Sequence, residues 1–188
     1  MLRSMFVAGI VLWCAGAASA QSPERLSLAT NAAFGAFAQG CASHLGDVAA
    51  IEQFLRSSGF LPAPPPMAAQ LSPDGKRSVW LLPQPDTGVA ALTQPDGLAC
   101  SVYLQRGDSV KLTADFVSLI EGVARPGVVV KKAVDWTTGA TTNLTYRVYA
   151  VAASPGSADR AFSITINAAP NASMVAILTA AAVQHEDP

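Results

Sequence analysis

Residues 98–106 read LACSVYLQR, and their side chains alternate as they do along a half-buried strand. One side of the strand consists of Leu98, Cys100, Val102 and Leu104. The opposite side carries Ala99, Ser101, Tyr103 and Gln105. The alternation therefore predicts a strand whose apolar side, with Cys100, faces the core.

Two predicted helices precede this strand. The stretch 26–41 has apolar residues at helical spacing and ends at Cys41. A second helix begins after Asp47, a residue type that caps helix N-termini, and ends at Gly59. The helix that carries Cys41 must pack on the buried side of the strand if its sulfur is to bond to Cys100.

The N-terminus predicts export. Arg3 supplies a positive charge, an apolar stretch follows it, and residues 18–20 (ASA) form a small-x-small cleavage site. We expect a cleaved signal peptide at residues 1–20 and a periplasmic or secreted mature chain. One alternative is an uncleaved membrane anchor, although the apolar run is shorter than the roughly 20 residues that span a bilayer. Another is a lipoprotein acylated at Cys14, although Trp13 stands where a small residue is typical.

The mature chain keeps two of the three cysteines, Cys41 and Cys100. Two cysteines in an exported protein predict one disulfide bond. Closing a loop of about 60 residues stabilises a fold by about 4 kcal/mol in the chain-entropy model.

We expect residues 21–188 to form a single domain. Four prolines make residues 62–66 a stiff connector, for which the alternative function is a polyproline ligand for a partner. Turn signals rich in proline, aspartate and glycine then bracket three strands of a meander, at residues 76–82, 89–93 and 98–106.

The second half of the chain repeats this order. Ser109 can cap a third helix that ends at Gly122. A second meander of β-branched residues follows, at 128–136, 143–152 and 160–168. We predict a last helix that begins near Pro170 and a disordered polar tail at 184–188. The buried positions of that helix would be Met174, Ile177, Leu178 and Ala181.

The predicted fold class is α+β. Hairpin-connected strands indicate an antiparallel sheet of about six strands in two βββα halves, with helices packed on one face and one or two helices before the first strand.

The chain resembles a family of small exported proteobacterial proteins with no assigned activity. The resemblance is carried by the signal peptide, the pair Phe37 and Cys41 in a helix, the strand pair Val79 and Trp80, and the Cys-Ser-Val sequence at 100–102. It implies a periplasmic location. The order of elements is also similar to that of secretion chaperones, which bind partner segments on a sheet.

Composition excludes several classes of partner. The full chain has 12 Lys and Arg and 13 Asp and Glu, with a formal net charge of −1. Nucleic acids and anionic membranes need clustered positive charge, so we expect neither as a partner, and no membrane span after signal cleavage. Hydrolase, zinc-protease and nucleotide-binding signatures are absent from the sequence, and we expect no metal and no cofactor.

One cluster of residues is suited to nucleophilic catalysis. Cys41, His44 and Asp47 lie three residues apart, and a reduced cysteine beside a histidine can form a thiolate nucleophile. The competing interpretation is a disulfide cysteine, an exposed histidine and a capping aspartate, which an oxidising compartment favours.

The strand patterns also predict a candidate binding face. If Leu144, Tyr146 and Val148 face the helices, the alternate residues of the same strand face away. Tyrosine and arginine are favoured at protein interfaces, so a sheet face that combines them with hydroxyls is suited to binding, although an ordinary solvated face has a similar composition. The candidate residues are Ser101, Tyr103, Thr145, Arg147, Tyr149, Ser163, Thr165 and Asn167.

These observations favour a non-enzymatic accessory protein, monomeric or weakly associating, that engages an envelope protein or a small ligand through this face. The alternatives are an inhibitor or immunity-type protein, and a thiol-dependent or hydrolytic periplasmic enzyme that uses Cys41 and His44.

Overall fold

The computed structural model describes residues 22–84, 88–151 and 158–184. The predicted signal peptide and residues 185–188 of the predicted tail lie outside these ranges, so the structure does not test them. The helices are α1 (Pro23–Gly35), continued by a π-helical segment (Ala36–Ala42), α2 (Val48–Ser57), α3 (Pro65–Leu71) and α4 (Ser109–Val123). The strands are β1 (Leu61–Pro62), β2 (Ser78–Leu81), β3 (Val89–Thr93), β4 (Ala99–Leu104), β5 (Val128–Thr138), β6 (Thr141–Ala150), β7 (Ala158–Asn167) and β8 (Ala176–Gln184).

All eight strands belong to one sheet, in the order β1-β2-β3-β4-β8-β7-β6-β5. Every neighbouring pair is antiparallel. The predicted α+β class with an antiparallel sheet is therefore confirmed. The expected six strands become eight in the described part of the chain, and the two halves are joined by the final strand.

The predicted C-terminal helix is wrong, because residues 176–184 form strand β8 between β4 and β7. Leu178 pairs with Val102 on one side and with Ile164 on the other, and it is fully buried. A helix would bury Ile177 on the same face as Leu178. In the strand, Ile177 lies on the opposite face of the sheet from Leu178 and is partly exposed. Pairing on both edges outweighs the helical preference of the alanine-rich sequence.

The proline-rich stretch is also more structured than a connector. Pro62 ends β1, the strand at one edge of the sheet, and Pro65 begins α3. Proline suits the first turn of a helix, where its missing N–H has no partner to lose. Because α3 packs beside Val79 and Leu92, away from the main core, the expectation that all helices share one face is wrong for α3.

The main core lies between the sheet and the helices α1, α2 and α4, which share one face with the π-helical segment. Phe37 stands at its centre, with ring centroids 5.9 Å from Phe116 of α4 and 6.3 Å from Phe162 of β7. Gly40 in the same segment lets Phe54 of α2 approach, because a Cβ atom there would lie 2.9 Å from the Phe54 ring. The N-terminal helices are thereby packed on the sheet.

Two capping predictions have different outcomes. Asp47 caps α2 as expected, since its carboxylate accepts a hydrogen bond from the backbone N–H of Ala50 at 3.0 Å. The predicted cap Ser109 is wrong by one residue, because Asp108 accepts the corresponding bond from Lys111 at 2.9 Å. Within the described ranges, no helix is long and apolar enough to cross a membrane.

Candidate functional site

The predicted binding residues lie on one face of the sheet. Cys100, Val102 and Leu104 of β4 face the helical core, so Ser101 and Tyr103 face away from it. We call this side of β4, β8, β7, β6 and β5 the open face. The strand registers bring all eight predicted residues onto it: Ser101, Tyr103, Thr145, Arg147, Tyr149, Ser163, Thr165 and Asn167.

A row of hydroxyl groups crosses the open face. Thr179 of β8 lies between Ser101 and Ser163, and Thr145 of β6 pairs with Ser163 on the far side. The hydroxyls of Ser101 and Thr179 are hydrogen bonded at 2.9 Å. Four adjacent strands at about 4.8 Å spacing give the row a length of about 14 Å. Because a hydroxyl has one donor and two acceptor sites, the paired groups keep hydrogen-bonding capacity toward solvent.

A second row runs beside the first and has an aromatic ring at each end. It begins at Tyr103 in β4, passes through Ile177, Thr165 and Asn143, and ends at Trp136 in β5. The Asn143 amide donates a hydrogen bond to the Thr165 hydroxyl at 2.8 Å. The Thr145 hydroxyl donates to the Asn143 carbonyl oxygen at 3.0 Å and so connects the two rows. These bonds fix the orientation of the polar side chains.

One charged pair lies at the end of β6 and β7. Arg147 approaches the carboxylate of Asp159 to 3.9 Å, and Asp159 is only 2% exposed. Tyr149 is the last predicted residue on this side of β6 and is half-buried. The guanidinium of Arg147 is about one third exposed and lies beside the hydroxyl rows, with the Asp159 carboxylate offsetting its charge.

Helix α3 bounds the open face and forms a groove with it. The helix packs over β2 and β3, and its residues Ala68 and Leu71 belong to the same cluster as Tyr103. Between α3 and β4 lies a groove of about 570 Å³, which includes Met67, Met174 and the Tyr103 side chain in its lining. Tyr103 therefore joins an apolar groove to the polar rows.

The helical side has a larger groove of about 690 Å³ between α4 and strands β6 and β7. Its lining is mostly apolar and includes Val117, Leu144 and Ile166. Val110, at its rim, is 79% exposed. This groove offers apolar contact area, whereas the open face combines such area with oriented hydrogen-bonding groups.

Three residues of the open face were missed by sequence reasoning. Thr179 was assigned to a helix, although Leu178, Thr179 and Ala180 show the alternation of a strand between apolar neighbours. Asn143 lies two residues before Thr145, so the same alternation predicts its face. Trp136 ends a predicted strand, but its face depends on a β-bulge between Lys132 and Val134 that the pattern does not reveal.

The structure gives Cys41 and Asp47 separate roles, and it places His44 at a half-buried position rather than the exposed one expected. Cys41 is fully buried and lies at disulfide distance from Cys100, with the two Cα atoms 5.4 Å apart, which confirms the predicted pairing. The bond occupies the sulfur that a thiol mechanism would need. Asp47 is the cap of α2. Among the described residues, no group of three His, Cys, Asp or Glu side chains is arranged to hold a metal ion.

Comparisons with known proteins give no further guidance, because no family model, no curated protein and no solved structure matches this chain.

Proposed function

We propose that the protein is an exported, non-enzymatic binding protein that engages an envelope protein through the open face. The N-terminal signal sequence supports export, and the disulfide bond suits an oxidising compartment. The resemblance to small exported proteobacterial proteins agrees with this location. The observation that carries the proposal is the pair of rows on the open face, one of which has Tyr103 and Trp136 at its ends.

The two rows provide the chemistry of a protein interface. Hydroxyl and amide groups can donate and accept hydrogen bonds, and the bonds among them hold them in place before a partner arrives. Tyr103 and Trp136 are separated by four strand spacings, or about 19 Å. Aromatic residues are favoured at protein interfaces, so the two rings can supply apolar contact area at both ends of this row.

The groove beside Tyr103 supplies an apolar anchor point. A side chain of the partner that enters it would contact Met67 and Met174, whose flexible thioethers adapt to different shapes. We therefore expect partner recognition to depend on Tyr103 more strongly than on any single hydroxyl of the rows.

The proposal is tested by capture of partners from a native periplasmic extract. The full chain, tagged at its C-terminus and recovered from the periplasm of an exporting host, serves as bait. One variant combines Tyr103→Ala with Tyr149→Ala, and a second, Ser163→Arg, inserts a long charged side chain into the centre of the hydroxyl row. Ser118→Arg is the matched control, because it adds the same side chain at an exposed position of α4.

We expect the wild-type protein and Ser118→Arg to capture the same envelope protein, and both open-face variants to lose at least tenfold of it. If the open-face variants capture as much as the wild type, or if the wild type captures nothing above background, the proposal is wrong. Circular dichroism and thermal unfolding of each variant distinguish loss of binding from loss of folding.

A further inference from the structure

The two edges of the sheet differ in how they are protected. The first edge, β1, has two residues, includes Pro62, and leads directly into α3. Short strands and proline are devices that prevent pairing with another sheet. The second edge, β5, runs for 11 residues from Val128 to Thr138 and pairs with β6 on one side. In the described ranges no strand pairs with the outer edge of β5, and its backbone groups there form a template for a further strand.

The outer edge is also apolar at its centre. Val134 is 40% exposed and Trp136 is 45% exposed, and both lie on the open face of β5. On the other face, Lys132 and Asp135 form an ion pair with a distance of 2.9 Å, and each side chain is about half exposed. The hydrogen bond that Lys132 donates to Asp135, with the nearby charges of Tyr146 and Asp135, raises the pKa of Lys132 above its ordinary value.

We propose that β5 pairs with β5 of a second copy, antiparallel and about a twofold axis, to join two sheets into one. The β-bulge makes Ala133 the extra residue of the strand. With Ala133 left out of the pairing and the axis at Val134, Lys132 lies opposite the partner's Asp135 on the helical face, and Asp135 opposite the partner's Lys132. On the open face, Lys131 lies opposite the partner's Trp136, where a cation can contact an aromatic ring.

The charge pattern selects this register. When the bulged Ala133 is not counted, a shift of two positions in one direction places Lys132 opposite the partner's Lys132, and the same shift in the other direction places Asp135 opposite the partner's Asp135. Like charges directly opposite each other destabilise a strand pair, and opposite charges stabilise it. Lysines and bulges commonly protect an edge strand, but Asp135 makes these lysines complementary to a second copy of the same strand.

This pairing goes beyond the proposed function and does not depend on it. It revises the expectation of a monomer or weakly associating protein, which did not take the outer edge of β5 into account. The dimer would carry two open faces on the same side of a continuous sheet, because a twofold axis perpendicular to the sheet keeps equivalent faces together.

The test is sedimentation equilibrium of the mature protein and of charge variants on β5. Lys132→Glu places two carboxylates opposite each other in the homodimer, and Asp135→Lys places two ammonium groups opposite each other. In an equimolar mixture of the two variants, every opposing pair is again attractive. Lys76→Glu is the control, because it makes the same charge change at an exposed residue outside β5.

We expect dimers from the wild type and from Lys76→Glu, a dissociation constant at least tenfold weaker for each β5 variant alone, and recovery of dimers in the mixture. Thermal unfolding of each variant reports whether its monomer is folded. A wild type that stays monomeric up to its solubility limit overturns the proposal. Folded single variants that dimerise like the wild type, or that fail to form a dimer when mixed, also overturn it.

Discussion

Cys41 of the π-helical segment and Cys100 of β4 have Cα atoms 5.4 Å apart and join two distant parts of the chain. Cys100 lies on the buried side of β4, and the next residue, Ser101, begins the hydroxyl row on the opposite side. The disulfide therefore fixes the N-terminal helices to the strand that carries one end of the candidate site. Stability of the fold and geometry of the site depend on the same strand.

Removing the disulfide should lower stability by a large amount. The bond closes a loop with a sequence separation of 59 residues. We expect the double variant Cys41→Ala with Cys100→Ala to lose about 4 kcal/mol of unfolding free energy. Urea unfolding with and without a reductant measures this effect. Reductant should lower the unfolding midpoint of the wild type and leave that of the double variant unchanged. A wild-type midpoint that does not change with reductant would contradict a stabilising disulfide bond.

A buried hydroxyl joins α1 to the start of α4. Thr30 is fully buried, and its hydroxyl donates to the Leu26 carbonyl at 2.7 Å and accepts from the backbone N–H of Asp108 at 2.8 Å. Thr30→Val keeps the shape but removes the acceptor for Asp108. We expect a loss of about 1 to 3 kcal/mol in unfolding free energy, measured by chemical denaturation.

Thr113→Val is the matched control for this prediction. The hydroxyl of Thr113 donates to the Ser109 carbonyl at 2.8 Å within α4, and the residue is half-buried. Its replacement should change stability by no more than about 0.5 kcal/mol. If both variants lose the same unfolding free energy, the hydrogen bond between Thr30 and Asp108 does not contribute more to stability than the bond within α4.

Two glycines with left-handed backbones differ in the space around them. Gly97 has φ of 70°, and a Cβ atom there would lie 2.8 Å from the backbone nitrogen of Val48. Gly75 has φ of 65°, and a Cβ atom there would meet nothing within 4 Å. We expect Gly75→Ala to cost about 1 to 2 kcal/mol for the backbone alone. Gly97→Ala should lower the unfolding free energy by about 1 to 3 kcal/mol more than Gly75→Ala, because α2 must move to make room for the Cβ atom. Equal unfolding midpoints of the two variants would refute this prediction.

The turn before β2 should make stability depend on pH. The Asp74 carboxylate accepts hydrogen bonds from the backbone N–H of Lys76 at 3.2 Å and from the Ser72 hydroxyl at 2.9 Å. These bonds, with the positive charges of Arg77 and Lys76, lower the pKa of Asp74 below its ordinary value of 3.8. A lowered pKa means that the carboxylate stabilises the folded state above pH 3.8 and that this contribution is lost as the pH falls through the folded value.

The corresponding measurement compares the wild type with Asp74→Asn. The wild type should have the higher urea midpoint at about pH 7, and the difference should shrink at an acidic pH below the folded pKa of Asp74, where the carboxylate binds a proton in both states. A difference that is constant between the two pH values would show that the charge of Asp74 does not contribute.

Much of the fold follows from local pattern. The alternation through Cys100 and Val102 predicts the strand, its buried side and the position of the disulfide, because each depends on residues close in sequence. The same alternation assigns Thr145, Ser163 and their neighbours to one face. Turn residues rich in glycine and proline mark the strand ends because only special backbone angles fit there.

The final strand could not be predicted in the same way. Its residues Leu178 to Ala182 favour a helix by composition, and they form a strand because β4 and β7 offer backbone partners on both sides. Strand β4 lies far from β8 in sequence, so local propensity does not predict that the two strands pair. The position of Thr179 in the hydroxyl row is therefore a consequence of tertiary pairing.

Hydroxyl-radical footprinting of the protein with and without the captured partner shows whether the partner binds the open face. Tyr103 and Trp136 report on the open face, and Val110 and Leu28, 79% and 57% exposed, report on other exposed surface. We predict that partner binding reduces oxidation of Tyr103 and Trp136 and leaves that of Val110 and Leu28 unchanged. Protection of Val110 or Leu28, with Tyr103 and Trp136 oxidised as in the free protein, would contradict the account.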